Sequence, residues 1–342
     1  MKIISSIVIS VFFITASYSS DINSGSSLFK IDLKLKEKKV SKPVYNISLE
    51  KDQYKPAEVI RFFPVKDNDL NIKRGYKDKE KNYKADPLKL TILGVVGAGV
   101  FTGFHIYYSN TWWKDKRDYF KFAADGYYAR NMDKLSHIYT ANFFTVATSV
   151  AYEWTGLSPS KSLLYGSLTS LAYETYIEIN DGFAPNWGFD WGDMGANVFG
   201  AVYPFLQEEF KPLKHVNFKW SFKPDWLKKK VSNQDDLLDD YTNMTFWLSV
   251  NPMIMLPSSV TKAKFYPNFI ALAAGMSIKN ASHVTGSTTA KVEWFISLDW
   301  DVNQLPGKSD FMKKLKKILN FYHFPAPAVK ISPEGVWYGL YF

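Results

Sequence analysis

No cysteine occurs in this 342-residue chain. Disulfide bonds, a thiol nucleophile, a thiolate metal site and a lipid-modified cysteine are therefore excluded. Acidic residues are the scarcer charge: 33 Asp and Glu stand against 42 Lys and Arg, so the formal net charge is +9. Such a basic balance suits nucleic acid, anionic lipid or an acidic partner. Aromatic residues, in contrast, make up 17% of the chain, and membrane interfaces use Tyr and Trp heavily.

The first twenty residues have the composition of a secretory signal peptide. Met1-Lys2 gives a positive start, Ile3 to Ala16 is a short apolar run, and the small residues Ser17, Ser19 and Ser20 follow. The run is short for a transmembrane helix, although an uncleaved anchor is the alternative. The sequence thus predicts export to the periplasm or cell envelope. We expect a membrane lipid or an envelope protein as partner, and no nucleic acid.

Composition divides the rest of the chain into four parts. We predict a polar Lys-rich arm, a helical bundle, a charged connector and a β-rich end, at residues 21–86, 87–210, 211–243 and 244–342. A short basic amphipathic helix lies in the last part, near Phe311 to Phe321. The expected fold is α+β, with four to five membrane-associated helices and a small C-terminal antiparallel β region.

The first predicted helix, Leu88 to Ser109, has Lys89 as its one charged residue. Gly99 and Gly103 form a G-x-x-x-G pair, which lets two helices approach closely in lipid. Its length also suffices to span a hydrocarbon core, and a buried glycine-rich helix of a soluble bundle is the alternative. No strand precedes these glycines, so they are not a dinucleotide-binding fingerprint, and no nucleotide is expected.

Three further helices and several strands follow. The helices are predicted from Asp133 to Trp154, from Ser160 to Ile179, and from near Asp190 to between Pro204 and Gln207, because Gly and Pro residues separate them. β-branched and aromatic residues predict strands at Thr245 to Val250, Phe265 to Ile278 and Lys291 to Val302.

The last residues, Val336 to Phe342, alternate in polarity as the final strand of an outer-membrane barrel does. Roughly 100 residues after Asn243 are too few for eight strands of about ten residues each. We therefore favour a small sheet docked on the helical body, with a small outer-membrane β-barrel as an alternative.

Each of the three later helices carries a pair of polar residues four positions apart. The pairs are Asp133 and His137, Glu174 and Glu178, and Asp193 and Asn197. Residues i and i+4 share one helix face, so we expect these faces to meet in the interior of the bundle. The resulting candidates for a polar core or ligand site are Asp133, His137, Glu174, Asp193 and Asn197.

Such a cluster has more than one interpretation. We favour a structural network that holds the helices in register, in an exported envelope protein with a structural or interaction role. The alternative is a metal- or His-dependent hydrolase or transferase acting on lipid or envelope glycan, with His137 and Glu174 as catalytic candidates. No H-E-x-x-H motif occurs, so no cofactor is predicted, although a divalent metal would suit inward carboxylates beside an imidazole.

These residues, in this order, resemble a family of predicted periplasmic lipoproteins that includes YfiM, and more distantly the VanZ-like membrane proteins. The matching positions are Asp133-Lys134-x-x-His137, Ser170 to Glu174, Trp187, Trp191, Asp193, Asn197 and Gly200-Ala201. The resemblance covers about residues 112–205. It implies a compact helical domain in the envelope with no established activity, so it carries over no catalytic role. The absent cysteine departs from the lipoprotein pattern, so a lipid anchor is not implied.

Overall fold

The computed structural model describes residues 82–123, 128–223, 240–252, 267–279 and 290–341. The predicted signal peptide and the predicted arm up to residue 81 lie outside this part of the chain. Within it, the fold is α+β, with five α-helices and a six-stranded antiparallel sheet toward the C-terminus. The predicted fold class is confirmed at this level, while membrane association stays a prediction.

The five helices begin and end within two residues of the predicted positions. They are α1 Pro87–Asn110, α2 Met132–Trp154, α3 Pro159–Asp181, α4 Trp191–Glu209 and α5 Asp310–Leu319. Local capping explains these boundaries. The side chains of Asp86, Ser158 and Asp190 accept hydrogen bonds from amides of the first turns of α1, α3 and α4. A proline at the first position of α1 and of α3 adds a preset φ angle.

Helices α2, α3 and α4 pack against one another through small residues. A Cβ atom added to Gly166 of α3 would lie 2.6 Å from the carbonyl oxygen of Thr145 on α2. A Cβ atom added to Gly200 of α4 would collide with the carbonyl of Ile138 on α2. The backbones therefore approach too closely for any side chain at these two positions, and this close approach brings the polar faces of the helices together.

The main sheet is a meander in which each strand pairs with the next one along the chain. Its strands are β3 Val216–Phe222, β4 Met244–Val250, β5 Ile270–Lys279, β6 Lys291–Trp300, β7 Ala326–Ser332 and β8 Val336–Tyr341. Two short parallel strands, β1 Phe122–Ala123 and β2 Phe189–Asp190, pair beside the helices. Strand β3 lies inside the predicted charged connector, which is therefore shorter than predicted.

One face of this sheet is buried, and it combines charged and polar side chains with the apolar cluster around Trp247 and Phe295. Lys219 and Asp299 form an ion pair at 2.6 Å, and both side chains are 0% exposed. The sheet curls around this face, since the ring of Trp247 on β4 stacks on His323 at 4.0 Å, and the hydroxyls of Thr245 and Tyr341 are 3.1 Å apart. A charged interior of this kind requires that each charge be paired.

The opposite face is apolar and only partly covered. Near one end, Phe246 and Ile278 pack with Met132 and Tyr139 of α2. Elsewhere on this face, apolar side chains are exposed in aligned rows across neighbouring strands. The exposed members on β4, β5 and β6 are Leu248, Leu272, Trp294, Ile296 and Leu298.

Candidate functional site

The structure brings together all five residues predicted as polar-core or ligand candidates. Asp133 and His137 lie in the first two turns of α2, Glu174 lies on α3, and Asp193 and Asn197 lie in the first two turns of α4. All but His137 are buried, and the side chain of His137 is 17% exposed. The inward convergence expected from the i, i+4 spacing is therefore present, whereas the role of the cluster stays a prediction.

His137 occupies the centre of the cluster. Its Nδ1 lies 3.0 Å from Oδ1 of Asn197, and its Nε2 lies 3.6 Å from Oδ1 of Asp133 and 3.8 Å from Oδ1 of Asp193. The two glutamates of α3 approach the Nδ1 side, at 3.9 Å for Glu174 and 3.7 Å for Glu178. One imidazole thus faces four carboxylates from three helices.

Four residues join the cluster in addition to the five candidates from the sequence: Lys134, Glu178, Asp190 and Tyr241. Lys134 Nζ lies 2.8 Å from Oδ1 of Asp193, and also 3.4 Å from Asp133 and 3.5 Å from Asp190. Glu178 is buried, and its Oε2 accepts a hydrogen bond from the Asp190 amide at 3.4 Å. The i+4 spacing from Glu174 was the signal for Glu178.

Tyr241 is the addition that no local pattern could indicate. Its hydroxyl donates a hydrogen bond to Oδ1 of Asp133 at 2.8 Å, across a separation of 108 residues. This hydrogen bond holds the Asp133 carboxylate in place from the segment that leads into β4. Tyr241 itself is buried with the aromatic residues around Phe246.

The electrostatics of the cluster follow from burial of excess negative charge. Burial alone would lower the pKa of His137, but the carboxylates of Asp133, Asp193, Glu178 and Glu174 outweigh it and raise the pKa to about 10. The imidazole is therefore charged at neutral pH.

Three carboxylates of the cluster have raised pKa values, mainly because burial disfavours their charged form. Burial raises the pKa of Glu174 to about 7, against the attraction of His137. Burial and the neighbouring acidic groups raise the pKa of Glu178 to about 8 and that of Asp193 to about 7. These pKa values lie close to neutral pH, so each of the three carboxyl groups can gain or lose a proton there. Groups with pKa values shifted in this way are typical of acid–base and cation sites.

Some polar atoms of the cluster lack partners. Among the described residues, Oε1 of Glu174, Oε1 of Glu178 and Nδ2 of Asn197 are buried and have no hydrogen-bond partner. Buried polar atoms are nearly always paired, so these positions favour a bound water or ligand. Asp133, His137 and Asp193 each offer one ligand atom, and the three atoms lie within 4.8 Å of one another. These three could hold a metal ion.

Residues 121–209 match the model of a family described as Predicted periplasmic lipoprotein (DUF2279). The matched segment contains α2, α3, α4 and every cluster residue except Tyr241. The predicted resemblance to a family of predicted periplasmic lipoproteins is confirmed over this segment, and the family description agrees with an exported protein of the periplasm or cell envelope. The likeness to YfiM and to VanZ-like proteins stays a prediction. No curated protein and no solved structure matched the chain.

Proposed function

We propose that the chain is an exported envelope protein held at a membrane by two apolar surfaces, one on α1 and one on the sheet, in a structural or interaction role. The observation that carries this proposal is the exposure of α1. Of the helices in the described part of the chain, α1 alone is long and apolar enough to cross a membrane, and none of its most apolar stretch is buried.

Both sides of α1 are apolar, although only one side packs against residues in the described part of the chain. Phe101 and Phe104 pack on Tyr173 of α3, with ring centroids 6.2 and 6.0 Å apart. On the opposite side, Val95 is 68% exposed and Ile106 is exposed as well. The alternative of a buried helix in a soluble bundle requires this second side to be covered, and within the described residues it is not. Lipid is a suitable partner for such a surface.

The helix also satisfies its own polar groups, as a helix in lipid must. The hydroxyl of Thr91 donates to the carbonyl of Pro87 at 2.9 Å, and that of Thr102 donates to the carbonyl of Ala98 at 2.8 Å. Lys89 lies near the helix start, with Nζ 5.4 Å from the ring centroid of Trp154. A cation beside an aromatic ring at a helix end is typical of a membrane interface.

The outer face of the sheet gives the second surface. Leu272 pairs with Leu298, and Ala274 pairs with both Leu248 and Ile296. Leu272 is 46% exposed and Ile296 is 51% exposed. A sheet in water keeps its apolar side inside, whereas charged groups inside and apolar groups outside are typical of sheets that face lipid. This inversion also supports the alternative of a small outer-membrane barrel.

Fractionation of cells that produce the full chain tests the membrane proposal. We expect the protein in the membrane fraction after an alkaline carbonate wash and its release by detergent. The double variants Val95→Glu/Val100→Glu on α1 and Leu272→Glu/Ile296→Glu on the sheet should each move protein into the soluble fraction. Gln304→Glu adds a single carboxylate at an exposed position that belongs to neither surface and should leave the distribution unchanged.

Full-chain protein that is soluble before any wash would contradict the proposal. So would double variants that stay bound as tightly as the Gln304→Glu control. Heat-dependent mobility on a gel, tested on the same membrane fraction, would favour the barrel over a sheet that lies against the surface.

A further inference from the structure

The ligand atoms of Asp133, His137 and Asp193 enclose one position. Nε2 of His137 lies 3.6 Å from Oδ1 of Asp133 and 3.8 Å from Oδ1 of Asp193. Ligands bound tetrahedrally at about 2.1 Å from a metal ion lie about 3.4 Å from each other. The two distances from Nε2 exceed this value by only a few tenths of an ångström, and all three ligand atoms lie within 4.8 Å of one another.

The surroundings orient these ligands. The side-chain oxygen of Asn197 can only accept, so Nδ1 of His137 donates to it at 3.0 Å. In the neutral imidazole, the lone pair then lies on Nε2, on the side where the two aspartates are. Tyr241 donates to Asp133 at 2.8 Å and holds that carboxylate in place. Partners of this kind fix the tautomer and the direction of metal ligands in known sites.

The cluster also has too few positive charges. Two cationic side chains, Lys134 and His137, face five carboxylates, those of Asp133, Glu174, Glu178, Asp190 and Asp193. Burying unpaired carboxylates is unfavourable unless a proton or a cation neutralises them. The network is therefore incomplete as a set of ion pairs.

A second, independent observation points to a ligand. Glu174 is 2% exposed, and its Oε1 has no hydrogen-bond donor among the described residues. Its other oxygen lies 3.9 Å from Nδ1 of His137, so the carboxylate is directed into the cluster. Oε1 of Glu178 is buried and unpartnered in the same way. Buried acceptors of this kind are nearly always paired, so these oxygens favour a bound water or another donor inside the cluster.

We propose that Asp133, His137 and Asp193 bind one divalent transition-metal ion between α2 and α4. One imidazole nitrogen and two carboxylate oxygens suit Zn²⁺ or Mn²⁺ better than Ca²⁺, which prefers six or more oxygen ligands. Lys134 reaches the same carboxylates from the outside with a partly exposed side chain, and it moves toward Asp190 when the ion binds. The site does not depend on membrane attachment, so either proposal can fail alone.

Calorimetric titration of the purified full chain tests the site directly. The protein, in mild detergent, is first treated with a chelator, which is then removed, and Zn²⁺ or Mn²⁺ alone is the probe. We expect saturable binding of one ion per chain and a rise in Tm with metal concentration. Binding should strengthen with pH, because the ligands release protons.

Two variants and a control separate a metal site from a structural network. Asp193→Asn removes one ligand and one excess charge, so it should retain the fold in chelator while the affinity falls by more than tenfold. Tyr241→Phe should weaken binding by about 10-fold, since it removes only a positioning group. Glu208→Gln, at an exposed ion pair with Lys214, should bind the metal as the unmodified chain does.

The absence of saturable binding would overturn the proposal. So would weak binding that Asp193→Asn and the unmodified chain share, because that result would indicate an adventitious ion on the surface only. If Asp193→Asn fails to fold, Tyr241→Phe decides, and unchanged affinity in a folded Tyr241→Phe protein would contradict the assigned ligand Asp133.

Discussion

Replacing Glu178 by Gln should make the stability of the protein less dependent on pH. The side chain of Glu178 is buried on α3, with Oε2 accepting from the Asp190 amide and Oε1 3.7 Å from His137. Gln retains an acceptor for that amide and removes the charge. The substitution therefore isolates the electrostatic contribution of a single carboxylate with little change in shape.

The expected magnitude follows from the raised pKa of Glu178, which burial shifts from 4.5 to about 8. Between these values the folded protein retains a proton that the unfolded chain has lost. Stability is therefore greatest below pH 4.5 and falls as the pH rises toward 8, by about 1.4 kcal/mol per pH unit for this one group. Over the whole window the loss amounts to about 5 kcal/mol.

Denaturant unfolding from pH 4 to 9, in mild detergent with a chelator present, measures this effect. Below pH 4.5 the variant and the unmodified chain should have similar free energies of unfolding, because position 178 is then neutral in both the folded and the unfolded state. Above pH 8 the Glu178→Gln protein should be more stable by about 5 kcal/mol. Glu208→Gln, which removes an exposed carboxylate 2.6 Å from Lys214, should follow the unmodified chain.

Parallel curves for Glu178→Gln and the unmodified protein would refute this reasoning. That result would mean that Glu178 is ionised in the folded state over the whole range, and that the cluster supplies enough positive charge to stabilise it. A variant that is less stable at every pH would mean that the carboxylate itself is required for packing.

Two further predictions concern packing and a buried charge. Gly166→Ala should lower the free energy of unfolding by about 1–3 kcal/mol, because the new Cβ meets the α2 backbone. The control Gly99→Ala meets no described atom within 4 Å, so it should be neutral or stabilising by up to about 1 kcal/mol. Thermal unfolding of both variants measures the difference. Lys219→Met should cost about 3–5 kcal/mol by stranding the buried Asp299, whereas Lys214→Met at an exposed pair should cost less than about 1 kcal/mol in the same denaturant assay.

The helices could be predicted because their signals are local. Asp86-Pro87 and Ser158-Pro159 combine a capping side chain with a proline at the first helical position. The spacing of Asp133 and His137 shows which side of α2 is polar without any knowledge of its neighbours. The meeting of the polar sides of α2, α3 and α4 could be predicted because burying a polar side chain without a partner is energetically unfavourable.

The arrangement of the sheet was harder to predict, because alternation gives the period of a strand but not which side is buried. In the sequence of β3, Lys219 stands between Phe218 and Trp220, and Phe222 continues the alternation of aromatic residues. A lysine usually indicates a solvent-exposed side, yet Lys219 is buried and pairs with Asp299 on β6. The partner that makes this burial favourable lies far along the chain, so no local pattern shows it.

Helix α2 belongs to both halves of the fold. One side supplies Asp133 and His137, while Tyr139 on another side lies 5.8 Å from the ring of Phe246 and 6.3 Å from that of Trp220 on the sheet. A gene fragment that encodes only residues 121–209 would leave that aromatic side without its cover. Recombination could therefore transfer this helical segment to another protein only together with the strands that cover Tyr139, or with polar replacements on that side of α2.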